Sequence, residues 1–269
     1  METSTTASAE DAGIELDAGP LAVRPEDRQA VPEERKSPPN PRVRARALLE
    51  VLLCTDLPAA LIVPSLLVRS GFRVDRIFQS SAQFALLRLS YCAFILATIF
   101  LLVRLRRESL RTLLRFDAPW RREAIAGLAV VPFLFAATGG VGLFFRAYFP
   151  EMVTTENPIL ALIKTPWDTV WFLATAIVAG GLEEEVQRAF VLRRFEKYLG
   201  GIYAGLVVWT LYFGAGHWVQ GFDNAVGAGM LGLLFGLTYI WRQNLVAPIV
   251  AHAAYDTVVV VLYSIFGVK

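Results

Sequence analysis

The 269-residue chain has two histidines, His217 and His252, and both lie inside apolar stretches. An ionisable side chain is costly to place there and is usually kept for a function. Three strings hold the reactive groups: GGLEEEVQRAF at 180–190, FGAGH at 213–217 and HAAYD at 252–256. On a helix, residues four apart share a face. Glu184 therefore faces with Arg188, Phe213 with His217, and His252 with Asp256. Glu183 stands about 140° around the same helix from Arg188 and is left to face something else. Carboxylates and imidazoles can take a proton from water, return one to a leaving group and hydrogen-bond a developing oxyanion. The same groups could relay protons through a membrane, and two histidines with a glutamate could ligate Zn²⁺.

Helices of matched depth are needed to bring these groups together. Glu183 lies 17 residues before Gly200, and His217 lies 16 after Gly201. An antiparallel hairpin then sets both about 25 Å from the glycine turn. If Arg193 and Lys197 reach a membrane interface, Glu183 lies about 15 Å below Arg193. His252, eight residues past Asn244, is about 12 Å deep from the same side. Polar groups on three helices fall near one level.

Composition says what kind of helices these are. The chain is 55% hydrophobic and 19% charged, with a mean hydropathy of +0.48, whereas a soluble domain is nearer half apolar and a quarter charged. Residues 1–47 hold 16 of the 50 Asp, Glu, Lys and Arg residues and 6 of the 14 prolines, so the remainder is poorer still in charge. That excludes an ordinary cytosolic enzyme, a disulfide-built secreted domain and a mostly disordered chain. The expectation is an all-α polytopic transmembrane helix bundle at 48–269, behind a disordered polar, Pro-rich tail at 1–47. About seven spans are read, near 48–68, 84–103, 124–145, 167–192, 201–220, 224–241 and 245–266. The stretch 147–166 leaves room for a re-entrant or interfacial piece.

No signal peptide is read at the start. Cys54 and Cys92 sit in apolar runs and read as buried thiols. A net charge of +2 gives no ground for a nucleic-acid partner. Arginines crowd 104–122, recur at Arg193 and Arg194, and end the tail at Arg46. A cytoplasmic N-terminus follows from that distribution, although Arg69, Arg73 and Arg76 lie on the opposite side.

The motifs resemble the CAAX prenyl protease and bacteriocin-processing family of intramembrane proteases. That family's pattern is EExxxR, then FxxxH, then HxxxN or HxxxD on successive membrane helices. The matching residues are Glu183, Glu184 and Arg188, then Phe213 and His217, then His252 and Asp256, within about 167–266. The resemblance implies a glutamate-type endopeptidase in which Glu183 and His217 activate a water. His252 and Asp256 would stabilise the oxyanion, and Arg188 would be the structural partner of Glu184. It also implies no cofactor, and a membrane protein or lipidated peptide as substrate, cut near its C-terminus. Two positions depart from the usual pattern. Asp256 replaces the Asn of eukaryotic members, so it must act as a neutral acid or orient His252. Gln187 and Ala189 stand where an aromatic and a glycine often flank the arginine.

A protease is one of several functions these residue types could serve. Each motif alone fits a solvated helix end, an interfacial histidine or a satisfied intramembrane hydrogen bond. A proton-coupled transporter would use the same groups, but no internal repeat is evident. A non-catalytic adaptor or immunity protein on the same scaffold is the third class. Zinc is not favoured, because HExxH is absent.

Overall fold

The computed structural model describes residues 40–111 and 119–267, leaving aside the side chains of residues 74 and 75. The tail expected over 1–47 lies outside the described residues up to 39. From residue 41 onward the chain is already helical. Asn40 caps α1 (Pro41–Leu53) by accepting from the Arg42 amide at 3.0 Å, with proline at the first helical position, where its missing N–H costs nothing. α1 and α2 (Asp56–Arg69) form one apolar stretch bent by 46°. The break puts Asp56 at the start of a helix within the stretch read as the first span.

α3 (Ser81–Leu105) and α4 (Trp120–Tyr148) are long apolar helices. Residues 149–165 form a connector with two single 3₁₀ turns, Pro150–Met152 and Leu160–Leu162. α5 (Pro166–Thr175) starts with a reciprocal capping box between Thr165 and Asp168. It runs without a break into a π-helical segment, Ala176–Glu184, and then into α6 (Glu185–Arg194). A second π turn, Phe195–Leu199, ends at Gly200, whose φ of +112° suits a residue without a Cβ. α7 (Ile202–Gly216), α8 (Phe222–Arg242) and α9 (Val246–Phe266) complete the bundle.

Among the described residues the fold is all helical, and four helices are long and apolar enough to cross a bilayer: α3, α4, α8 and α9. The bent α1–α2 pair makes a fifth crossing if it is one span. The expected count of about seven is therefore not confirmed, although a helix stands at each of the seven positions. α7 has 15 residues, short of the roughly 20 a span needs. The α5–α6 helix carries Glu183, Glu184, Glu185 and Arg188 in its middle. Leu61, Ile125, Phe133, Leu143 and Leu211 are 67–72% exposed, and large apolar side chains outside a bundle suit lipid contact.

α4, α8 and α9 pack on one another, α7 packs on α8, and α9 also lies along the π segment. The last contact is close. A Cβ on Gly181 would stand 2.6 Å from the Ala253 Cβ, and one on Gly180 would collide with the Asp256 carboxylate. At one end of the bundle, Glu50 on α1 accepts from Arg106 at 2.7 Å and pairs with Arg194 at 2.9 Å, while Arg194 also bonds Glu108 at 2.8 Å. This cluster ties α1, the end of α3 and α6 together. Cys54 and Cys92 are free, buried thiols.

Gly181→Val forces α9 off the π segment, and overpacking of this kind costs about 1–3 kcal/mol. Thermal melting in detergent should show that loss. Gly139→Val, which meets nothing within 4 Å, should melt within the scatter of wild type. Equal melting of the two variants would disprove the close packing.

Candidate active site

The π segment decides how the three consecutive glutamates point. A π-helix bonds i to i+5, so each residue turns by less than the 100° on which α-helical spacing rests. Glu183, Glu184 and Glu185 close that segment and begin α6, and each meets a different neighbour. Glu183 is fully buried against α3, where its Oε2 accepts from Arg88 Nη2 at 2.8 Å and lies 3.6 Å from the Cys92 thiol. Glu184 Oε1 accepts from the same Arg88 nitrogen at 2.7 Å. Glu185, fully buried, accepts from His252 Nδ1 at 2.8 Å and pairs with Arg188 Nη1.

A cavity of about 780 Å³ lies among these helices, lined by Glu184, His217, His252, Asp256, Arg88 and Asp56 among others. The structure thus brings His217, His252, Asp256, Phe213 and Glu184 to one wall. It does not bring Glu183 there. The α-helical spacing also pairs Arg188 with Glu184, whereas the structure pairs it with Glu185. Glu185 and Arg188 both lie in α6, three residues apart, a spacing that also shares a face of an α-helix.

The imidazoles are held at one nitrogen and open at the other. His217 Nδ1–H donates to the Phe213 carbonyl at 2.7 Å, because a carbonyl can only accept. His252 donates Nδ1–H to Glu185, and its Nε2 faces Glu184 Oε2 at 3.7 Å and Asp256 Oδ2 at 3.6 Å. Those two gaps exceed a direct hydrogen bond. Phe235 stacks on His252 with centroids 4.3 Å apart, and Phe213 lies 4.6 Å from His217. The guanidinium of Arg188 is caged by Trp209, Phe213 and Phe235 at 5.2–5.6 Å. One buried cation thus steadies the carboxylate and the rings that set both histidines.

Residues outside the three motifs also reach the site. Arg88 joins the glutamates, and Asp56 beside it accepts from the Tyr212 hydroxyl at 2.6 Å. Gln187 donates its side-chain amide to the Cys54 carbonyl at the α1–α2 bend, so this departure from the usual aromatic serves packing. A lone Asp and a lone Arg inside successive apolar stretches were the signal available for Asp56 and Arg88. Among the described residues, no group of three His, Cys, Asp or Glu side chains is arranged to hold a metal ion.

Residues 165–258 match the family model described as type II CAAX prenyl endopeptidase Rce1-like. This segment is Rce1-like. The match spans all three motifs and agrees with the family resemblance they carry. The Rce1-like family is one of proteases, and the long apolar helices are those of an integral membrane protein. No curated protein and no solved structure matches the chain.

In this Rce1-like segment Glu185→Gln removes the charge that Arg188 pairs with, and breaking a buried pair costs about 3–5 kcal/mol. Glu184→Gln costs less, because Arg88 keeps Glu183. The melting temperature in detergent should fall further for Glu185→Gln than for Glu184→Gln. The reverse order would contradict the assignment of Arg188 to Glu185.

Proposed function

We propose that the chain is a glutamate-type intramembrane endopeptidase whose general base is Glu184. The observation that carries this reading is the cavity wall on which the Glu184 carboxylate, His217, His252 and Asp256 converge. Glu184 takes a proton from a water, and the water oxygen attacks the scissile carbonyl carbon. His217, with Nδ1–H fixed on Phe213, offers Nε2 to the same water. His252 carries Glu185 as its counter-ion at Nδ1 and, when it holds a second proton, donates from Nε2 to the oxyanion. Asp256 orients His252. As the C–N bond breaks, the proton held by Glu184 passes to the leaving amine. No cofactor enters this mechanism.

The substrate we propose is a membrane-associated protein or lipidated peptide, a prenylated CAAX terminus among them. Leu57, Phe84, Phe172 and Val260 give the cavity an apolar side that suits such a segment. Arg46, Arg106, Arg194 and Lys197 gather at one end of the bundle. By the excess of basic residues on cytoplasmic sides, we assign that end, and with it the N-terminus, to the cytoplasm.

The test is cleavage of a lipidated C-terminal peptide library by the purified protein, with and without a chelator. Glu184→Gln and His252→Ala should each lower kcat/KM by about 100-fold or more, and chelator should change nothing. Activity kept in Glu184→Gln but lost in Glu183→Gln would move the base to Glu183. Loss with chelator would replace the mechanism with a metal-dependent one.

A further inference from the structure

Arg88 lies on α3, 77 residues before the start of the Rce1-like match at 165, and the motif chemistry does not use it. Its Nη2 donates to both Glu183 Oε2 and Glu184 Oε1, at 2.8 and 2.7 Å. Its Nη1 lies 3.7 Å from the Cys92 sulfur and 3.8 Å from Asp56 Oδ1. Asp56 is held in turn by Tyr212, which donates its hydroxyl to Oδ2 at 2.6 Å and accepts the Asp56 amide N–H at 2.8 Å. Three helices, α2, α3 and α7, are thereby tied to the two glutamates.

We infer that Arg88 is a positioning residue for the endopeptidase reaction: its guanidinium clamps Glu183 and Glu184 together, engages one oxygen of each, and so fixes the carboxylate that meets the reacting water. Two carboxylates on adjacent residues repel one another, and a shared guanidinium nitrogen removes that repulsion by bonding to one oxygen of each. Once Oε1 of Glu184 is engaged by Arg88, Oε2 is the oxygen that faces His252 Nε2. Glu183 holds the other side of the clamp through Oε2, and its Oε1 is left without a hydrogen-bond partner. Asp56 and Tyr212 hold the outer edge of the guanidinium, so the planar fork cannot rotate away. A lysine here would restore the charge without the fork. This inference rests on the endopeptidase reading but predicts effects that the reading alone does not.

The experiment compares Arg88→Met, Arg88→Lys, Asp56→Asn and Tyr212→Phe with wild type and Glu184→Gln in full-length protein in detergent. A misplaced base costs about 100-fold, so Arg88→Met should lose that much in kcat with KM little changed, and Arg88→Lys should recover part of it. Asp56→Asn and Tyr212→Phe, which keep the arginine, should lower kcat less and in the same sense. They hold the inference open to test if Arg88→Met does not fold. In parallel, labelling of Glu184 by an apolar carbodiimide is followed by mass spectrometry and needs no cleavage. The ion-paired carboxylate should be protected in wild type, labelled in Arg88→Met and intermediate in Arg88→Lys. A kcat near wild type in Arg88→Met, a change confined to KM, or equal labelling of Glu184 with and without Arg88 would overturn the clamp. If wild type cleaves nothing, the endopeptidase reading fails, and the labelling still decides whether Arg88 holds Glu184.

Discussion

A carboxylate inside an apolar bundle persists as a charge only where a cation meets it, because an unpaired buried ion costs tens of kcal/mol in the idealised limit. Among the described residues the chain meets that constraint with arginine. Arg88 serves Glu183 and Glu184, Arg188 serves Glu185, Arg194 serves Glu50, and Arg242 serves Glu123. Each pair joins separate parts of the helical bundle or, for Arg188, braces the helix that carries the site. The pairs at Glu50 and Glu123 only fasten helices. The pairs at 183–185 also leave one carboxylate edge, that of Glu184, open to a cavity. The carboxylate we propose as the base is thus an acid whose charge is supported from behind and exposed in front.

The three consecutive acids close the π segment and open α6, and they project in different directions. Here one turns to α3, one to the cavity and one to α9. α9 can come near enough to receive the third because Gly180 and Gly181 carry no side chains where Asp256 and Ala253 approach. The aromatic cage about Arg188 completes the arrangement. Phe213 and Phe235 each touch both the guanidinium and an imidazole of the cavity wall, so ring packing passes the position of one buried charge to both histidines.

Much of this can be read in the residues. The apolar stretches give the helices, and the FGAGH and HAAYD spacings place Phe213 with His217 and His252 with Asp256. The depth arithmetic brings helices around 183, 217 and 252 to one level. What spacing does not disclose is the π turn, because it depends on how α5, α6 and α9 pack. Spacing alone pairs Glu184 with Arg188, whereas the structure pairs Glu185 with it. The count of about seven crossings is not confirmed either. Hydropathy marks the stretch 201–220 as a span, yet Gly216 ends the helix after 15 residues. Asp56 and Arg88 were legible as charges in apolar runs, but their meeting is a long-range contact that no local pattern encodes.

Which glutamate faces the cavity is the central claim, and cysteine accessibility measures it without a substrate. Glu183→Cys and Glu184→Cys are made singly, with Cys54 and Cys92 replaced by Ala, and treated with a small polar thiol reagent in detergent. The cysteine at 184 should react rapidly from the cavity, and the cysteine at 183 should be protected against α3. Rapid reaction at 183 with protection at 184 would contradict the π-turned arrangement and return the site to simple α-helical spacing.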